Sequence, residues 1–98
     1  MLKNRLIPII ILKDDLIVQS FNFKRFLPIG KLKTAIDFFV NWDVDEIVIL
    51  DIDATKQDRR PKLDVIKRAS RECFVPLTIG GGIRSVSDIK DVLRAGAD

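Results

Sequence analysis

Residues 5–12 (RLIPIIIL) and 46–51 (EIVILD) are continuous apolar runs rich in β-branched side chains, without polar alternation. Strands buried on both faces of a helix-covered parallel sheet read this way. Residues 76–79 (PLTI) form a third, shorter run of the same kind. Pro8 inside the first run would cost a ladder donor, so it reads as a bulge. Between the runs the apolar spacing becomes helical. Leu32, Ala35, Ile36, Phe39 and Val40 predict an amphipathic helix over residues 31–42, with Trp42 at its end as core filler. Pro61 suits a first helical turn, and Leu63, Ile66 and Ala69 give that second helix its inner face. Ser85 with Asp88 three residues on predicts an N-cap and a capping-box-like carboxylate, Val86, Ile89, Val92 and Leu93 the stripe, and Gly96 the C′ residue.

The resulting order is βαβαβα, and right-handed crossovers turn it into a parallel sheet with helices outside. Strand starts near 5, 46 and 75 point to a repeating βα unit. Residues 13–30 fall outside the scheme. Leu16-Ile17-Val18 can form a short strand there, and a long loop after the first strand is a candidate lid.

With 98 residues the chain holds one domain, and 47% apolar content supplies a core. Residues 1–49 carry 7 basic and 6 acidic side chains and residues 50–98 carry 10 and 8, so neither half has a nucleic-acid footprint. The apolar run at residues 6–12 is too short to span a bilayer, and no signal-peptide pattern opens the chain. A cytoplasmic location is expected. The sequence has no histidine, which removes imidazole relays and imidazole metal ligands. A single cysteine, Cys73, precedes Phe74-Val75 and reads as a buried, inert thiol. No cofactor or metal is expected.

In a parallel α/β sheet the chemistry lies at the carboxyl ends of the strands. Gly80, Gly81 and Gly82 follow the third strand and precede the Ser85 helix, so they form either a phosphate cradle or a tight strand-to-helix turn. Asp51 and Asp53 end the second strand. Alternation points both to one side, where they act as substrate-binding or acid–base carboxylates or else cap the loop 54–60. Of the basic set Lys56, Arg59, Arg60, Lys62, Lys67, Arg68 and Arg71, mostly a solvated helix face, Arg59 and Arg60 lie near enough to reach a ligand. At the other end Arg5 and Glu46 begin neighbouring strands and form an ion pair.

Together the opening MLKNRLIPIIILKDD, the Asn22-Phe23 pair, VDEIVILDIDAT at 44–55, PLTIGGGI at 76–83 and GAD at 96–98 resemble the amino-terminal part of HisF, the cyclase subunit of imidazole glycerol phosphate synthase. The resemblance covers essentially all 98 residues, and LDIDA with the triple glycine is its most specific part. It implies an α/β fold, the first three βα units of a (β/α)8 barrel, within one incomplete domain over residues 1–98. A complete barrel takes about 250 residues. It further implies a lyase-type synthase with a phosphosugar-type substrate and a HisH-like glutaminase partner that sends ammonia through the barrel.

Carried over residue by residue, Gly80, Gly81 and Gly82 match a phosphate loop, and Asp51 a substrate-side carboxylate. Arg5 and Glu46 match the ring through which ammonia enters, and Asp98 a partner-interface acid. Two positions depart from the cyclase pattern. Ile11 stands where the family has an acid–base aspartate, and Gln19 where it has a lysine that folds over substrate. With IIILKDD, LDIDATK and RECFVPLTIGGGI, these departures resemble the HisF-like branch called WbuZ, which implies glycosyl amidation in surface-polysaccharide synthesis. The alternatives are the ordinary cyclase subunit of histidine biosynthesis and a non-catalytic half-barrel that binds a partner or phosphate. The bare strand edges of such a sector imply self-association.

Overall fold

The elements run β1 (Ile9–Lys13), β2 (Leu16–Phe21), β3 (Arg25–Lys31), α1 (Leu32–Asn41), β4 (Ile47–Asp51), α2 (Leu63–Glu72), β5 (Leu77–Gly80) and α3 (Val86–Ala95). This is a computed structural model, and it describes residues 4–13, 16–21 and 25–98. One sheet forms, ordered β3-β2-β1-β4-β5. Its centre is the expected parallel trio β1-β4-β5. Ile9, Val48 and Thr78 share one level of the register, and Ile11, Leu50 and Gly80 share another. β1 starts after Pro8, so the proline interrupts nothing, and its carbonyl accepts from Val48 N at 3.0 Å.

Residues 16–31 correct the lid-loop expectation. They form an antiparallel hairpin, β2–β3, whose described pairing to the sheet is at the tip of β1, through Leu12↔Ile17 and Lys13↔Leu16. The sheet is therefore mixed, rather than purely parallel. The hairpin was only half legible because the stretch joining its strands, residues 22–24 (NFK), contains neither glycine nor proline. Asn22 and Phe23 lie outside the described residues.

Burial follows strand alternation. Ile10 and Leu12 of β1, Ile47 and Ile49 of β4 and Leu77 of β5 turn to one side, where they pack with Ile36 of α1 and Ala69 of α2. A second cluster joins Ile66 of α2 to Val92 and Ala95 of α3. Truncating a core side chain of this kind to alanine typically costs about 2–5 kcal/mol. α3 is capped as expected: Ser85 Oγ accepts from Asp88 N at 3.1 Å, and Gly96, at φ 128°, closes the last turn through Gly96 N–Leu93 O (3.2 Å). Asp88 returns its bond to Arg84 N at 3.1 Å, one residue ahead of the cap. Among the described residues no helix is long and apolar enough to cross a membrane.

Trp42 corrects another expectation. It is 67% exposed at the C-cap of α1, just past the last helical turn, and leans on Phe38 with ring centroids 5.5 Å apart. The opposite sheet face is also bare, with Ile7, Ile9 and Leu50 open to solvent. Ile9, Ile11, Ile17, Ile29, Phe38 and Phe39 line a groove of about 590 Å³ between the edge of β1, the hairpin and α1. In a closed (β/α)8 barrel a neighbouring βα unit covers such a flank.

From this exposure the 98-residue chain is expected to self-associate through its bare strand edges and apolar faces. Sedimentation velocity should show concentration-dependent oligomers. A monodisperse monomer that unfolds cooperatively would contradict the expectation.

Candidate functional site at the two ends of the parallel strands

At the amino ends, β1 and β4 run side by side, which brings Arg5 to Glu46. Arg5 Nη2 lies 3.0 Å from Glu46 Oε2, and Thr78 Oγ1 donates to Glu46 Oε1 at 3.0 Å. Glu46 is thus held from both sides. Thr78 was not singled out from sequence, although the PLTI register places it two residues above the level of Glu46 on the same face. Asp98, expected at a partner interface, bonds the start of β5: its Oδ2 accepts from Leu77 N and its N–H donates to Leu77 O, both at 2.8 Å. Asp45 does the same to Leu6, at 2.6 and 3.0 Å. Asp45 and Asp98 therefore use one device, a carboxylate that accepts from a backbone N–H while the aspartate's own amide donates to that same residue's carbonyl.

At the carboxyl ends, Asp51 Oδ1 accepts from the N–H groups of Asp53 (3.1 Å) and Ala54 (3.2 Å) and from Arg59 Nη2 (3.0 Å), while Oδ2 lies 2.9 Å from the same nitrogen. Alternation puts Asp51 on the helix side with Ile47 and Ile49, away from Ile11. Asp51 caps the loop after β4, the second of the two roles its position allowed. Asp53 is likewise not presented to a ligand. Its carboxylate is 3% exposed and accepts from Lys13 Nζ at 2.8 Å, so the two aspartates do not form a pair.

The glycine loop is held by that capped turn. Gly81 and Gly82 have φ of 101° and 76°. A Cβ on Gly81 would strike the Asp51 carbonyl, and one on Gly82 would lie 2.7 Å from Ala54 Cβ and 2.8 Å from Arg59 O. Glycine is therefore required by both conformation and close approach. Gly82 N donates to Thr55 Oγ1 at 3.2 Å. Both arginines are engaged. Arg59 holds Asp51 and donates through Nε to Gln57 Oε1 (3.0 Å), and Arg60 reaches α3, where it pairs with Asp88 (3.0 Å) and Asp91. Arg84 pairs with Asp58. The triple glycine therefore forms a tight strand-to-helix turn, one of the two readings its position allowed.

Ile11 is half-buried on the inner face of β1, level with Leu50 and Gly80, and Gln19 is exposed in the hairpin opposite Leu27. Cys73 is half-buried, and its Sγ donates to Val75 O at 3.3 Å. Burial holds its thiol above the usual range, as an inert cysteine requires.

Residues 5–98 match the sequence pattern of the histidine biosynthesis protein family. The chain belongs to that family. All 98 residues align at 62% identity with a Vibrio vulnificus protein, provisionally named imidazole glycerol phosphate synthase subunit hisF2, and cover 36% of it. A Campylobacter jejuni protein of the same provisional name is 45% identical over the whole chain, and a Streptococcus sanguinis imidazole glycerol phosphate synthase subunit HisF is 40% identical; the chain spans 39% of each. The chain thus covers little over a third of the length of these curated relatives. Their names point to the synthase subunit rather than to glycosyl amidation, which leaves the finer of the sequence expectations without their support. A HisF-type family member also accounts for the three parallel βα units.

Arg60, bridging the loop after β4 to α3, generates a pH dependence. Asp88 is held below the usual carboxylate range by Arg84 N–H and then by the Arg60 guanidinium. A depressed carboxyl pKa contributes stability that is present above the unfolded value and lost as pH falls through the folded one. The thermal midpoint should therefore drop on acidification below about pH 4. Asp88→Asn should lower the midpoint at pH 7 and flatten this acid limb, read by circular dichroism melts from pH 2 to 7. An unchanged acid limb in the variant would contradict the role given to Asp88.

Proposed function

We propose that this chain carries the amino-terminal βα units of an imidazole glycerol phosphate synthase subunit of HisF type. In this reading ammonia enters at the amino ends of the strands, and a phosphorylated substrate is held at the carboxyl ends. The observation that carries it is the division of one strand face. Arg5, Glu46 and Thr78 form a polar cluster at one end, the Gly81-Gly82 loop stands at the other, and Ile9, Ile11, Val48 and Leu50 lie between. Neutral ammonia crosses an apolar strip without the desolvation cost that ammonium meets, so a polar gate followed by aliphatic side chains suits it. A glutaminase partner at the amino-end face would supply the ammonia, with exposed Asp98 on that side. The names of the relatives support the synthase reaction for the complete subunit.

A second reading, glycosyl amidation, is favoured by Ile11. An aliphatic side chain moves no proton, and positioned proton transfer contributes about 10²- to 10⁴-fold. One assay separates the readings: full-length protein is supplied with ammonium salts and the cyclase substrate, with and without Ile11→Asp. The synthase reading expects turnover by the unmodified protein, and a gain of about 10²- to 10⁴-fold on installing the carboxylate. Turnover that appears only with Ile11→Asp assigns the unmodified protein to the second reading. Absence of turnover in both removes the synthase reading.

A further inference from the structure

Among the described residues, three ionisable side chains stand at the carboxyl tips of β1 and β4: Lys13, Asp51 and Asp53. Asp51 is on the helix side, with both oxygens on Arg59 and one also on two backbone N–H groups. Asp53 is buried, so a ligand cannot touch it. Lys13 differs from both. It follows Ile11 by two residues in the same strand, which places its side chain on the inner face at the mouth of the strand trio. Its side chain is 27% exposed, and its Nζ is anchored at 2.8 Å by the buried Asp53 carboxylate.

Resting on the proposed ammonia-adding function, we infer that Lys13 meets the reacting oxygen of the substrate, and that Asp53 is the positioning residue that aims it. The layout fixes which part of the substrate Lys13 would reach. β1 and β5 are separated by β4, so Lys13 stands roughly 10 Å, two strand spacings, from the glycine loop. A phosphate on Gly81-Gly82 therefore leaves the carbonyl end of a sugar phosphate, not the phosphate, toward Lys13. As the ammonia nitrogen bonds to the carbonyl carbon, the C=O π pair moves onto oxygen. The Lys13 ammonium donates a hydrogen bond to that oxygen without giving up its proton, and the surplus proton on nitrogen leaves to water. A cation fixed in advance beside aliphatic Ile11 stabilises such charge better than a mobile one in water. Ile11 then marks a site in which charge stabilisation is separated from proton transfer.

The test uses full-length protein and two probes. In 4-phosphoerythronate a carboxylate stands in for the negative oxygen, whereas erythritol 4-phosphate keeps the phosphate and ends in a neutral alcohol. Calorimetry should show the carboxylate compound bound more tightly by about 10- to 100-fold, the difference one charge-assisted hydrogen bond makes. Lys13→Met should abolish this preference and leave erythritol 4-phosphate binding unchanged. Asp53→Asn should reduce the preference while keeping the charge. Because Lys13→Met strands a buried carboxylate, the double variant Lys13→Met/Asp53→Leu removes both charges and decides the case if the single variant does not fold. A preference that survives in the double variant overturns the inference. Failure of the unmodified protein to bind erythritol 4-phosphate overturns the phosphosugar reading, and the role of Lys13 with it.

Discussion

The parallel register of β1, β4 and β5 is the constraint on which the other features depend. Because Ile9, Val48 and Thr78 share one level and Ile11, Leu50 and Gly80 the next, side chains from three distant segments stack in rows on a single face. The same register sends Ile10, Leu12, Ile47, Ile49 and Leu77 to the other face, where α1 and α2 exclude water. A slip of one residue in any strand would exchange the two faces, moving the core into solvent and the rows into the helix layer. Stability and site geometry are therefore set by one alignment.

Each end of that alignment is finished by a carboxylate acting on backbone. Asp45 and Asp98 bond the backbone of Leu6 and Leu77 at the amino ends, and Asp51 turns the chain after β4. The Asp51 turn matters most for chemistry, since its carbonyl and the backbone of Arg59 leave no room for side chains at Gly81 and Gly82. Conformation of the glycine loop is thus inherited from the loop beside it. The electrostatics follow the same logic, because Arg59 and Arg60 neutralise Asp51, Asp88 and Asp91. With Arg59 and Arg60 committed to these carboxylates, the anion binding proposed for the glycine loop rests on its backbone N–H groups.

Much of this was legible in the sequence, for identifiable reasons. The three unalternating apolar runs specified buried parallel strands, the Leu32–Val40 spacing specified α1, and Ser85 with Gly96 bounded α3 to the residue. Glycines after a strand and before a helix cap located the loop. The hairpin was less visible, since residues 22–24 contain no glycine or proline, and Trp42 misled because aromatic content does not report which flank of a helix is covered. Asp51 and Asp53 were the instructive case. Spacing placed them together, but Asp53 lies past the end of β4, where alternation no longer applies, and its partner Lys13 is forty residues away in the chain. A buried ion pair between strand ends is a property of tertiary register, which local patterns do not carry.

The central claim is that the two ends of one strand face have separate tasks, anion binding at the glycine loop and a polar entrance at the other. Amide chemical-shift mapping of the full-length protein during titration with inorganic phosphate tests this directly. The account predicts the largest shifts at Gly81, Gly82 and Ile83, with Thr55 following as its bond to Gly82 N is exchanged for phosphate, and none at Arg5, Leu6 or Glu46. Shifts centred on the amino-end cluster, or spread over the basic side chains of α2 with the glycine loop silent, would contradict it.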